Sequence, residues 1–284
     1  MSLPVLPVSG VSGSADEIFF SEHGYAAFKT SDTYATTIPG WVTKADEALQ
    51  RYLEKATAAG GLGIGKEKGF RELVMKDPCR YDVNFDNAVG NDPISANFMH
   101  EIQSAISQSA GPLLQKVLGV DYKWNAQGMV TSLPGAKAQG WHVDSSHLFV
   151  GPAELLGKLP CHFVTVFIPL FKSSLPIGPT EMVPGTHLLT SEMPNATIPD
   201  QYPSLETVER LTNVASAKRD GYRSCFLDFS PGDIIVMDGR MLHRGLDNNL
   251  ARRHLIYISF CRPWYYEWPR SHSDHASLFK NSKL

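Results

Sequence analysis

Three short runs, residues 161–170, 233–238 and 253–261, are dense in Val, Ile, Phe, Tyr and Thr and are separated by Gly and Pro turns. Branched and aromatic side chains suit a pleated surface, and runs of this length between turn residues are the material of an antiparallel sandwich or barrel. This texture begins near residue 127. Earlier the chain reads as helix: residues 41–59 are rich in Ala, Leu, Glu and Lys, and Phe98, Ile102, Ile106, Leu113, Leu114 and Val117 recur near helical spacing within 96–118. The expected architecture is mainly β with helical additions: a helical N-terminal part over about 15–120 packed on a double sheet over about 121–265, then a tail over 266–284. One domain accounts for all of it.

With 284 residues, 43% of them hydrophobic, the chain can bury a large core. A formal net charge of −3 with 19% charged residues offers no basic surface for nucleic acid or an anionic membrane. The expected partner is a small molecule, and either a monomer or a homodimer would serve. Cys79, Cys161, Cys225 and Cys261 lie far apart without a CxxC pair, which excludes a zinc ribbon or a dithiol redox motif and fits a reducing compartment. The first ten residues have no basic segment and carry two prolines, unlike a secretory leader. No apolar run approaches the roughly 20 residues of a membrane helix, so a cytoplasmic protein is expected. Asn195-Ala196-Thr197 is then a coincidental sequon.

Two segments read as loops. Residues 60–70 hold five glycines, but no strand precedes them and no Gly-Lys-Ser/Thr follows as in a phosphate loop, so a mobile loop is expected. Residues 188–223 form a long polar insertion between strand-like segments, a length typical of a lid over a pocket.

The chemistry concentrates in Trp141-His142-Val143-Asp144. Alternation along a strand turns His142 and Asp144 to one face, where both can reach a single metal ion, and Val143 to the other. A third ligand is best supplied by His243, which follows the apolar run 234–237 and precedes a turn. Two imidazoles and a carboxylate on one face of an octahedron leave three positions open, the arrangement suited to iron(II) oxygen chemistry. An HxD pair alone is common, and a half-buried histidine bonded to a neighbour is its ordinary reading. Context supports the metal. Arg253 opens a run that puts Arg253, Leu255, Tyr257 and Ser259 on one face, and its guanidinium fork can grip a carboxylate in a bidentate pair.

In these residues the chain resembles the phytanoyl-CoA dioxygenase-like branch of the iron(II)/2-oxoglutarate oxygenases. The likeness runs through residues 20–25, Leu133-Pro134-Gly135, residues 139–144, residues 178–187, Ser230-Pro231-Gly232-Asp233, His243-Arg244-Gly245 and residues 253–264. It spans 17–264, and the ordered set is far more specific than any single motif. The resemblance implies a double-stranded β-helix, the cupin-like jelly roll. It also implies Fe(II) at His142, Asp144 and His243, with Arg253 on the distal carboxylate of 2-oxoglutarate and O2 as the other co-substrate. Arg252 is a rival for that role, because a one-residue slip exchanges the faces of a strand. Thr131 and Gln139 are candidates to line the co-substrate pocket. The implied reaction decarboxylates 2-oxoglutarate to succinate and takes hydrogen from an unactivated C–H bond. Hydroxylation, desaturation or ring closure follows. Halogenases of this kind lack the carboxylate that Asp144 supplies.

Other residues have plainer readings. His147 has the opposite parity to Asp144 and is a pocket residue or a partner of the ligands. His187 closes a turn, His254 faces away from the metal, and His272 and His275 belong to an exposed tail. Arg71, Arg80 and Tyr81 lie in the segment before the barrel and could bind a substrate carboxylate; solvated loop charges are the alternative. A small, carboxylate-bearing metabolite is favoured, kainoid-type ring closure being one compatible reaction. Two rivals use the same residues: a zinc-type metallohydrolase, and a jelly-roll binding module without catalysis.

Overall fold

The computed structural model describes residues 5–7, 14–65, 68–85, 92–148, 155, 158–189, 209, 224–265 and 276–279. Its strands are β1 (Val5–Pro7), β2 (Tyr25–Phe28), β3 (Leu73–Asp77), β4 (Arg80–Asn84), β5 (Lys123–Ser132), β6 (Phe163–Pro169), β7 (Thr180–Met182), β8 (Phe226–Asp228), β9 (Ile234–Asp238), β10 (His243–Gly245) and β11 (Arg253–Cys261). The helices are α1 (Ser14–His23), α2 (Asp32–Ala35), α3 (Ile38–Ala58), α4 (Pro93–Ser109) and α5 (Gly111–Leu118).

Seven strands form one antiparallel sheet in the order β2-β9-β6-β11-β5-β4-β3. The three apolar runs of the sequence become its centre, β9, β6 and β11. Facing it is a smaller layer: β10 pairs with β7, β7 bridges Cys225 at the entry to β8, and β8 pairs with β1. Period-two alternation assigns side chains to two cores. Ile234, Val236, Val164, Val166, Ile256 and Ile258 pack outward under the helices, whereas Ile235, Met237 and Leu255 point between the layers towards Met182, Leu227 and Phe229. Each such fully buried side chain contributes about 1.5–3 kcal/mol through burial.

The helical layer forms because α3 carries one apolar stripe. Trp41, Ala45, Ala48, Leu49, Tyr52 and Ala56 recur at three- and four-residue steps and are all buried. Trp41 Nε1 also donates to Glu101 on α4 at 3.0 Å. The periodic stretch 96–118 is two helices and not one. Pro112, in the first turn of α5, restarts the helix after Ala110, and Gly119 at φ 99° ends it.

Three features differ from expectation. The segment before residue 120 supplies β2, β3 and β4 to the large sheet as well as helices, because these short strands have too few residues for a period to show. The glycine-rich stretch is tied down in part, Ile64 bridging Met75 and Gly65 N donating to Met75 O at 2.9 Å. The tail is not wholly exposed: Leu278 is buried, and Ser277 and Leu278 both donate to the buried Glu72. Apart from Leu188, Leu189 and Glu209, the expected lid lies outside the described residues, as do the Asn195 sequon, His272 and His275. Among the described residues no helix is long and apolar enough to cross a membrane.

Candidate metal centre

His243 opens β10, and β10 runs antiparallel to β7. The HxD segment reaches it by a single bridge. His142 N donates to His243 O and His243 N to His142 O, each at 3.0 Å. The sequence reading put His142 and Asp144 on a strand; only His142 has strand pairing, and Asp144 lies in a bend where its N and that of Ser145 donate to Gly239 O, both at 2.8 Å. The alternation survives nonetheless, with Trp141, Val143 and Ser145 buried and the two intervening residues partly buried.

One donor atom from each of His142, Asp144 and His243 lies within 4.8 Å of the others, the one such group among the described residues. Each is oriented by a neighbour. His142 Nδ1 donates to Gly140 O at 2.8 Å and His243 Nδ1 to Met241 O at 3.0 Å. Since a carbonyl can only accept, both rings carry their proton on Nδ1 and present the Nε2 lone pair. Thr165 Oγ1 donates to Asp144 Oδ2 at 2.6 Å, leaving Oδ1 turned to His243 Nε2 at 3.6 Å. Burial and the neighbouring His243 push His142 down to about 4, which keeps it neutral and able to ligate at ordinary pH. These are the orienting bonds that metal-binding histidines and carboxylates use. The donor set fits iron(II).

Beside it is a cationic socket. Arg253 is 2% exposed, its Nε and Nη1 have no hydrogen-bond partner, and it forms no ion pair among the described residues. Its guanidinium lies over Phe171 at 5.1 Å. Burial and then Arg80 disfavour its charged form, so an entering anion would relieve both. Gly245, two residues past His243 on β10, lies against the Arg253 side chain. A Cβ there would come within 2.6 Å of Gln139 Oε1 and 3.4 Å of Arg253 Nη2. Gln139 accepts from Gly245 N at 3.0 Å. Two residues along a strand is about 7 Å, so a five-carbon dicarboxylate can bridge the distance between the His243 and Gly245 positions.

The remaining expected residues divide by face. Arg252 is half-exposed and pairs with Asp46 on α3, away from the socket. Thr131 corrects the sequence reading: paired with His254 across β5 and β11, it bonds His254 Nδ1 at 2.8 Å, and His254 Nε2 reaches Asp46 at 3.1 Å, all on the helix side. Tyr81, opposite Thr131, packs into the helix-side core and not over the pocket. Arg80 is no loop charge. It is 1% exposed on β4, and Ser132 lies opposite both it and Arg253, so the two arginines share one cross-strand row. It donates to Leu246 O at 3.2 Å. Arg71 is half-buried, and its backbone N donates to Ala276 O at 3.2 Å, which ties it to the C-terminal segment. His187 has the structural role expected, bonding Ser21 O at 3.0 Å. The sequence reading missed Thr165, whose signal was a lone polar side chain in the apolar run of β6.

The phytanoyl-CoA dioxygenase (PhyH) family profile matches residues 20–254. The chain belongs to this family. It is therefore an iron(II)/2-oxoglutarate-dependent dioxygenase, with oxygen as the second co-substrate. Among solved structures, the dioxygenase is similar to AviO1 from Streptomyces viridochromogenes Tue57 at 19% identity, covering 92% of this chain and 100% of that one with a TM-score of 0.58. SnoK, a non-heme alpha ketoglutarate dependent carbocyclase from nogalamycin biosynthesis, matches at 17% identity over 88% and 84% with a TM-score of 0.56. HygX from Streptomyces hygroscopicus, solved with nickel and 2-oxoglutarate bound, matches at 14% identity over 91% and 90% with a TM-score of 0.54. At these identities the likeness is one of fold, the double-layered jelly roll.

Proposed function

We propose that the dioxygenase holds iron(II) on His142 Nε2, Asp144 Oδ1 and His243 Nε2, and receives the distal carboxylate of 2-oxoglutarate on Arg253. The reaction is the oxidation of an unactivated C–H bond in a small metabolite. One observation carries this: a buried guanidinium with unpartnered N–H groups, a strand step beyond a three-donor centre whose outer nitrogens are already tied to carbonyls. Bound iron supplies the activation of oxygen that carbon oxidation needs.

The chain's own residues have separable tasks. The carbonyls of Gly140 and Met241 fix both imidazole tautomers, Thr165 aims Asp144, and Phe171 and Gly245 shape the socket around the Arg253 fork. Gln139 holds Gly245 by accepting from its backbone N. The finer outcome is hydroxylation, or ring closure or desaturation, kainoid-type closure included; the fold shared with a carbocyclase supports keeping cyclisation in the proposal. The carboxylate-bearing substrate expected from Arg80 and Tyr81 loses that support, since one lines the socket and the other the helix-side core.

Anaerobic addition of iron(II) and 2-oxoglutarate should give a weak visible charge-transfer band. Its absence in the wild-type protein would overturn the proposal, and turnover of a substrate without oxygen would favour a zinc-type hydrolase on the same donors. Mass spectrometry of candidate metabolites then reads the outcome as plus one oxygen or minus two hydrogens, coupled to succinate.

A further inference from the structure

Past Asp144 the chain, bonded through Ser145 N to Gly239 O just beyond β9, carries Ser145, Ser146 and His147 into a second polar cluster. Ser145 Oγ lies 3.3 Å from His162 Nε2 and 3.0 Å from Tyr265 Oη. Asp238 and Arg240 are both buried and pair with each other in bidentate fashion, Arg240 Nε to Oδ1 at 2.9 Å and Nη2 to Oδ2 at 2.7 Å. That pair cancels its own charge. Ser146 Oγ and both ring nitrogens of His147 are shielded from solvent and complete no hydrogen bond among the described residues, although the backbone of His187 faces the ring. Shielded polar atoms left this way are uncommon, and adjacent ones call for a ligand that bonds them.

We propose that Ser146 and His147 form a subsite for a neutral, hydroxyl-bearing part of the organic substrate, next to the metal centre. It rests on the dioxygenase reading and adds the chemical class of the substrate. Position supports it, because Ser146 and His147 follow Asp144 by two and three residues and so lie within about 10 Å of it along the chain. Donor chemistry selects the ligand. A neutral imidazole offers one donor and one acceptor, and a serine hydroxyl offers both, the complement of a hydroxyl or a vicinal pair of them. Burial, with Arg240 second, pushes His147 down to about 4 and so keeps the ring neutral. A carboxylate or an ammonium entering here would lose its hydration and find Asp238 and Arg240 already satisfied by each other.

The test uses full-length enzyme loaded with iron(II) and 2-oxoglutarate under argon, reading the visible charge-transfer band while probes are titrated. Myo-inositol and methyl glucoside serve as neutral polyols, propionate and ethylammonium as charged controls. At least one polyol should shift the band saturably, and the charged probes should not. His147→Phe should weaken the polyol response by about tenfold or more while leaving the iron and 2-oxoglutarate titrations within about twofold. His147→Gln, which keeps a donor and an acceptor, should restore most of it. The subsite is overturned if neither polyol moves the band, if a charged probe acts at lower concentration, or if His147→Phe responds as wild type does. A band that never forms with 2-oxoglutarate defeats the dioxygenase reading beneath it instead, and the subsite falls with it.

Discussion

His142 and His243 exchange two backbone hydrogen bonds, each 3.0 Å long, with ring centroids 4.4 Å apart. Residues a hundred positions apart in the chain are thereby locked opposite each other by main-chain atoms, and the imidazoles inherit their spacing from the backbone. Side-chain substitutions at the centre should consequently change metal affinity without unfolding the protein.

Thr165→Val tests how far that preorganisation depends on neighbours. The Thr165 hydroxyl holds Asp144 Oδ2 at 2.6 Å, and valine keeps the shape while removing the donor. Iron(II) affinity measured by calorimetry should fall by about 10–100-fold with little change in melting temperature. An unchanged affinity would show that Asp144 needs no such partner.

Arg253→Leu should abolish the socket's charge. Removing one partner of a buried charged contact costs about 2–5 kcal/mol, so the Kd for 2-oxoglutarate should rise at least about 30-fold, with iron binding preserved. Arg252→Leu loses only its exposed pair with Asp46 and should change the same Kd by less than about twofold. The opposite ranking would move the assignment by one residue.

His162 sets a pH limit on the metal-free protein. It is 1% exposed, and burial, with Arg240 second, pushes it from 6.5 down to about 4. Between those values the unfolded chain binds a proton that the folded chain does not. Its contribution is thus complete above pH 6.5 and lost as pH falls towards 4, by up to about 1.4 kcal/mol per pH unit. Denaturant melts of chelator-treated protein should show at least this slope, with His142 and His147 adding to it over the same window, and a smaller one in His162→Gln.

The C-terminal segment is a structural strap. Glu72 is fully buried, and its carboxylate accepts from Ser277 Oγ at 2.6 Å and Leu278 N at 2.9 Å. Deleting residues 276–284 removes both donors and should lower unfolding stability by about 1–3 kcal/mol for the buried carboxylate alone. A matching fall in the urea midpoint would check it.

Much of the architecture was legible because its signals are local. The β6, β9 and β11 runs carry β-branched residues between turns, α3 carries a 3.6-residue stripe, and neither needs a partner to be read. Short β2, β3 and β4 were not legible, since four or five residues hold too little pattern. Thr131, Tyr81 and Arg80 show the deeper limit. Parity along a strand says which residues share a face, but not which face meets the helices and which meets the opposite layer.

From its order of residues alone, this chain determined the spacing of His142 and Asp144, the inward parity of Arg253 with Leu255, and the set of motifs that marks its family. Those are properties of neighbours along the backbone. Only the tertiary structure decided that His243 meets His142, that Thr165 aims Asp144, and that Arg80 shares a row with Arg253. Such contacts join residues up to about a hundred and seventy positions apart, and cross-strand register and layer packing, which no local pattern encodes, bring them together.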